Sequence, residues 1–204
     1  GPLPIGEGQT ISQPYIVALM MDAVEIPPGG KVLEVGAGSG YAAAVMSRIA
    51  GEVFAIERHE PLAQAAAERI DALGYDNVSI ICGDGSLGLP DEAPFDAILV
   101  AAGGDKVPEP LKRQLKVGAR LVVPVGGEDL QSLLCVTRTG EHSWTEQDLG
   151  GVRFVPLIGA HGRYEDGSRA ASNHQPARTK TLAEVVAEAA EPLPEEAAEY
   201  PLGV

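Results

Sequence analysis

The sequence predicts an α/β fold: a doubly wound, mostly parallel sheet with helices on both faces and an antiparallel edge. Three observations carry this. The apolar run Val32–Val35 leads into three alternate glycines, Gly36, Gly38 and Gly40, and then into an Ala-rich stretch. That is the strand, turn and helix that open a nucleotide-binding sheet. Short apolar runs then alternate with helical patterns as far as Val125, as parallel strands with crossover helices require. Finally, Leu130–Thr139 and Gly151–Leu157 read as two strands with only a polar turn containing Gly140, Glu141 and Trp144 between them. They would form the antiparallel edge.

The elements follow in order. Residues 1–13 are Gly- and Pro-rich with few charges, which predicts a loop packed against the domain or a ligand. Pro14 suits the first turn of a helix running to about Val24, with Ser12 or Gln13 near its cap. Pro27-Pro28-Gly29-Gly30 is a turn, Lys31–Val35 a strand and Tyr41–Ala50 a helix. The glycines between them let the chain turn sharply and a ligand approach the backbone. The next strand is Val53–Ile56, ending at Glu57. This carboxylate follows the glycines by some twenty residues at the C-terminal end of the neighbouring parallel strand, where it can accept from ribose hydroxyls. Its alternative is a solvated strand end. Pro61 to Leu73 reads as a helix closed by Gly74, and Val78–Cys82 as a strand. Gly83-Asp84-Gly85 then sets a carboxylate at a strand end, either to accept from an adenine amino group or to close an Asx-type turn. Phe95–Ala101 is nearly all apolar, as a central parallel strand should be. Pro110–Leu115 reads as a short helix and Ala119–Val125 as a strand. Residues 179–190 could form one helix with Leu182, Val185, Val186 and Ala189 on one side. Beyond Glu191 the chain is Pro- and Glu-rich and reads as a linker or disordered tail. The expected division is a domain at 1–160 and a polar, acidic tail at 161–204.

Composition excludes some functions. The 204 residues carry a net charge of −14, so the summed field repels nucleic-acid phosphates and anionic membranes. No apolar run is long enough to span a bilayer and no signal peptide is evident, which predicts a cytoplasmic protein. Cys82 and Cys135 read as small buried strand residues. The four histidines are scattered, and no metal site is expected.

The glycine turn, with Glu34 in the strand before it, resembles the first motif of S-adenosylmethionine-dependent methyltransferases; Tyr41 stands where a dinucleotide fingerprint has its last glycine. From Leu3 to Leu157 the chain resembles the protein-L-isoaspartate O-methyltransferase family. The motifs are Pro4-Ile5-Gly6-Glu7-Gly8-Gln9-Thr10-Ile11-Ser12, Leu33 to Tyr41, Gly83-Asp84-Gly85, Gln114-Leu115-Lys116 with Leu121 to Gly126, and Arg153-Phe154-Val155-Pro156-Leu157. The Gly-Gln-Thr-Ile-Ser loop is the most family-specific of them. The resemblance implies a Rossmann-like methyltransferase fold and makes Ser12 the catalytic serine, with Thr10 and Ile11 beside it at cofactor and acceptor. It implies that Glu34, Gly36, Ala37, Gly38, Ser39 and Gly40 form the cofactor turn, with Gly36, Gly38 and Gly40 at the methionyl part. Glu57 would bind ribose with Arg58 next to it, and Gly83, Asp84 and Gly85 would border adenine. Thr10, Ser12, Val155, Pro156 and Leu157 would contact the substrate.

The implied reaction moves a methyl group from S-adenosyl-L-methionine to the α-carboxylate of an L-isoaspartyl residue, leaving S-adenosyl-L-homocysteine. The methyl ester would then collapse to a succinimide that partly reopens to aspartate, which is repair of damaged protein. A carboxylate is already ionised at neutral pH, so no general base is required; the protein must orient the reactants and exclude water. Isoaspartyl proteins or peptides are the expected partners, and the chain is expected to be a monomer or a fragment of a larger multidomain protein. Family members carry further helical sequence before Pro-Leu-Pro-Ile, so the N-terminal part of the family fold is expected to be missing. Three alternatives stay open: a methyltransferase for one dedicated peptide, a non-catalytic cofactor- or peptide-binding module, and a dehydrogenase-type domain. The glycine spacing disfavours the last.

Overall fold

The computed structural model describes residues 3–11, 13–127, 129–163 and 180–181. The chain opens with a hairpin, β1 (Leu3–Gly6) and β2 (Gln9–Ile11), followed by α1 (Pro14–Val24). The centre comprises β3 (Lys31–Val35), α2 (Tyr41–Met46), β4 (Glu52–Glu57), α3 (Glu60–Ala72), β5 (Val78–Cys82) and β6 (Phe95–Val100). Then come α4 (Glu109–Arg113), β7 (Leu115–Gly126), β8 (Gln131–Gly140), β9 (Ser143–Val152) and β10 (Lys180–Thr181).

The main sheet runs β10-β5-β4-β3-β6-β7-β8-β9. Strands β5, β4, β3, β6 and β7 are mutually parallel, and β8, β9 and β10 pair antiparallel. The chain winds outward from β3 to β5, then returns to the other side of β3 as β6. That reversal leaves a crevice at the C-terminal ends of β3 and β6, where ligands of such sheets bind.

Strand residues alternate between two cores. Val32, Val53 and Ala97 face one side with Val17 and Met20 of α1, Met46 of α2 and Ala66 and Ile70 of α3. Leu33, Phe54 and Ile98 face the other with Leu111 of α4. Burial on both faces explains why these strands are apolar throughout. Among the described residues no helix is long and apolar enough to cross a membrane.

Four sequence expectations change. Residues 3–11 are a hairpin rather than a loop, turned through Glu7 (φ 49°) and Gly8 (φ 68°). The last strand of the edge pair is Ser143–Val152, not Gly151–Leu157. β9 is an exposed edge, so it lacks the apolar signal that marks an interior strand. Helix α2 stops at Met46 rather than Ala50. Lys180 and Thr181 pair with Cys82 and Ile81 as a strand where a helix was expected over 179–190, because the open edge of β5 offers backbone partners. The rest of that expected helix and the tail beyond Arg163 lie outside the described residues. The fold itself continues past 160, since the amide of Arg163 donates to Leu157 O at 2.8 Å and its side chain pairs with Asp105.

Candidate functional site

The crevice holds a cavity whose walls come from three strand ends. β3 supplies Glu34 and Val35, β4 supplies Ile56 and Glu57, and the end of β6 leads into Ala101 and Ala102. Its floor is the glycine turn: Gly36, Ala37, Gly38 and Ser39 all line it. Gly36, Gly38 and Gly40 have φ of 91°, 54° and 81°, a region that L side chains rarely adopt. Over this turn lies the N-terminal hairpin. A Cβ on Gly38 would stand 3.1 Å from Ile5 Cδ1, so the low polarity of the first residues reflects packing on the turn.

The turn is held by its neighbours. The amides of Gly36 and Ala37 donate to Ile56 O at 2.8 and 3.0 Å. The amide of Gly38 donates to Glu57 Oε2 at 2.9 Å, and Glu57 Oε1 accepts from the amide of His59 at 3.0 Å. Glu57 is thus buried, anchored at both oxygens, and still on the cavity wall. A carboxylate oxygen carries more than one lone pair, so each can accept a further bond from a ligand hydroxyl. Arg58 and His59 also line the cavity.

Glu34 is the unusual charge. It is 2% exposed and its Oε2 is buried without a hydrogen-bond partner. Burial pushes its carboxyl up to about 8, the nearby Glu57 carboxylate adds to the rise, and the amide of Ala43 opposes it. At neutral pH Glu34 is therefore largely protonated.

At the end of β5 the structure separates the predicted residues. Gly85 lines the cavity, whereas Gly83 and Asp84 are not among its wall residues. Asp84 Oδ1 accepts from the amide and hydroxyl of Ser86 at 2.9 and 2.7 Å, and Oδ2 accepts from the amide of Ala160 at 2.7 Å. This is the Asx-type turn that the sequence allows, with an added tie to residues 159–161 that no local pattern indicates. Gly85 leaves no room for a side chain, because a Cβ would collide with Val35 Cγ1. Gly85→Ala is expected to cost about 1–3 kcal/mol through overpacking and to weaken cofactor binding by pushing Val35 into the cavity. Chemical denaturation and calorimetry on the purified variant would check both effects.

A second groove, about 760 Å³ in volume, adjoins the first. Thr10, Ala101, Val155 and Pro156 belong to both. Leu157 lines the first only, and the Ile11 backbone pairs with Leu3 in the hairpin. Ser12 lies outside the described residues. The segment after β9 forms the shared wall without being a strand. Gln131, only 3% exposed, accepts from the amide of Phe154 at 2.8 Å and donates to Phe154 O at 3.2 Å. Gly103 donates to Val155 O at 2.7 Å and accepts from the amide of Leu157 at 2.8 Å. Gln131 and the small loop residue Gly103 thus hold the wall, and neither stands out in the sequence as a site residue. Among the described residues no group of three or more His, Cys, Asp or Glu is placed to hold a metal ion.

The donor set fits S-adenosylmethionine. A glycine cradle admits close approach of its methionyl part, Glu57 offers acceptors for ribose, and the buried Glu34 oxygen lacks a partner in a cavity that would receive a cation. Comparisons with known proteins agree. The family model for protein-L-isoaspartate(D-aspartate) O-methyltransferase matches residues 1–162. Protein-L-isoaspartate O-methyltransferase 2 of Pelobacter propionicus is 57% identical over 162 residues, covering 79% of this chain and 72% of the relative. The Roseiflexus castenholzii protein-L-isoaspartate O-methyltransferase is 60% identical over 159 residues, 78% of this chain and 72% of the relative. A solved protein-L-isoaspartate O-methyltransferase superposes with a TM-score of 0.72 at 36% identity, over 78% of this chain and 52% of that one, so the chain spans about half its length. A Plasmodium falciparum structure described as a beta-aspartate methyltransferase in complex with S-adenosyl-L-homocysteine gives 0.69 at 28% identity, over 77% and 79% of the two chains.

Proposed function

The chain belongs to the protein-L-isoaspartate(D-aspartate) O-methyltransferase family of S-adenosylmethionine-dependent enzymes, and from that premise we propose that it methylates the α-carboxylate of L-isoaspartyl residues in damaged proteins. The observation that carries this is the junction of two compartments: a glycine-floored cavity and an open groove that share Thr10, Ala101, Val155 and Pro156. A cofactor in the first and a peptide in the second would meet at that wall.

Glu34, Gly36, Ala37, Gly38, Ser39 and Gly40 hold the methionyl end. Glu57 accepts from the ribose, with Arg58 beside it, and Gly85 backs the adenine while Asp84 fixes the turn around it. Bound S-adenosylmethionine supplies a sulfonium-borne methyl group, which the acceptor oxygen takes while sulfur keeps the bonding electrons. No proton moves in this step. The chain's work is therefore positional. Thr10 and the shared wall Val155-Pro156 align the peptide, with Leu157 behind them on the cofactor side, and the hydroxyl of Ser12 donates to one acceptor oxygen, leaving the other aimed at the methyl. The succinimide then forms from the ester outside the enzyme's own chemistry. The same reading expects a cytoplasmic monomer, which cell fractionation and analytical ultracentrifugation test.

The decisive experiment is transfer of labelled methyl to two peptides that differ only in isoaspartate against aspartate. Base-labile label on the isoaspartyl peptide alone is the expected result, and label on neither while S-adenosyl-L-homocysteine still binds would overturn the reading. Ser12→Ala is expected to lower turnover about tenfold or more, the scale of one hydrogen bond to a charged group, with cofactor affinity kept. An equal loss of both would remove Ser12 from the acceptor site.

A further inference from the structure

The chain carries 29 Asp and Glu against 15 Lys and Arg, yet among the described residues no carboxylate lines the second groove. Its charged lining residues are Arg153 and Arg163. Arg163 is 8% exposed and ion-paired with Asp105, so its charge is balanced. Arg153 is exposed, and among the described residues no carboxylate pairs with it. Among the described residues the groove therefore holds one unbalanced positive charge within a strongly negative molecule. At physiological salt the distant charges are screened beyond about 8 Å, so a peptide in the groove senses Arg153 more than the net charge.

Position sets what Arg153 can read. The Gln131 clamp on Phe154 fixes the backbone beside it. Val155 and Pro156, the wall shared with the cofactor cavity, are two and three residues further on. At roughly 3.3 Å per extended residue, Arg153 stands about two or three peptide residues from the methyl-transfer point. It faces a neighbour of the acceptor rather than the acceptor itself.

We propose that Arg153 is a specificity-determining residue that binds a carboxylate on a residue flanking the isoaspartyl position, so that acidic flanks are preferred over basic ones. This rests on the isoaspartyl reading above. The test uses isoaspartyl peptides identical except for Glu, Gln or Lys at each flanking position, with kcat and KM measured at 0.15 M salt for wild type, Arg153→Gln and Arg153→Lys. At one flank the expected KM order is Glu below Gln below Lys, spanning on the order of fivefold, the range of an exposed ion pair. Arg153→Gln should abolish the ranking while leaving the Gln peptide and kcat unchanged, and Arg153→Lys should restore most of it. Equal KM for all peptides in wild type, or a ranking that survives in Arg153→Gln, overturns this inference and leaves the repair reading standing. An equal KM rise for every peptide in Arg153→Gln also overturns it, because Arg153 would then act structurally or on the isoaspartyl carboxylate. Methylation of no isoaspartyl peptide overturns both.

Discussion

Replacing Glu57 with Ala is expected to weaken S-adenosyl-L-homocysteine binding by on the order of a hundredfold, the scale of losing hydrogen bonds to a charged acceptor. Two effects combine. The ribose acceptor is removed, and the amides of Gly38 and His59 lose their carboxylate partner, so the floor of the cavity is freed as well. Glu57→Gln separates the two. Its side-chain oxygen can still accept from one of these amides, so the turn should hold better and the loss should be smaller, about tenfold. Titration calorimetry with S-adenosyl-L-homocysteine reads both variants directly. Full affinity in Glu57→Ala would remove this residue from the cofactor site.

The second large effect concerns Glu34 and is a stability effect with a definite pH window. Its folded carboxyl titrates near 8, against an ordinary value of 4.5. Between about 4.5 and 8 the folded chain keeps a proton that the unfolded chain has released. Stability should therefore fall as pH rises through that window, by at most ~1.4 kcal/mol per pH unit from this group. Glu34→Gln removes the titration while keeping an oxygen for the Ala43 amide, so the variant should gain on wild type steadily from pH 5 to pH 8. Thermal unfolding of both proteins at unit pH steps checks this. The difference between them isolates Glu34 from the groups that both proteins share. Asp96 does not interfere: burial pushes it up, but hydrogen bonds and charge from Lys116 and Lys31 outweigh that and hold it below its ordinary range. Parallel curves for the two proteins would show that the cavity hydrates Glu34 enough to keep it ionised.

Local pattern made much of the fold legible. The β3 run, the alternate glycines and the apolar β6 state their own conformations, because buried parallel strands need apolar residues on both faces and left-handed turns favour glycine. The candidate site was legible where a motif places residues at adjoining strand ends: Glu34, Gly36, Gly38 and Glu57 line one cavity, while Gly40 packs against α3 instead. Reading failed where a segment's partner is not a neighbouring strand. Val152 to Leu157 is apolar enough to look like a strand, but its Phe154 and Val155 bonds go to a glutamine side chain and to Gly103. β9, a true strand, is exposed and carries no such signal.

The sequence by itself determined the order of strands and helices from α1 to β8, the sharp turn under the cavity and the charge types at the strand ends, since each depends on residues within a few positions of one another. Only the tertiary structure decided that Asp84 ties down Ala160 rather than lining the cavity, and that Gln131 clamps Phe154 across 23 positions. It also decided that Glu34 is buried beside Glu57 and that, among the described residues, Arg153 stands unbalanced in a groove without carboxylates. Those outcomes depend on burial and on distances between remote residues, which exist only once the chain has packed.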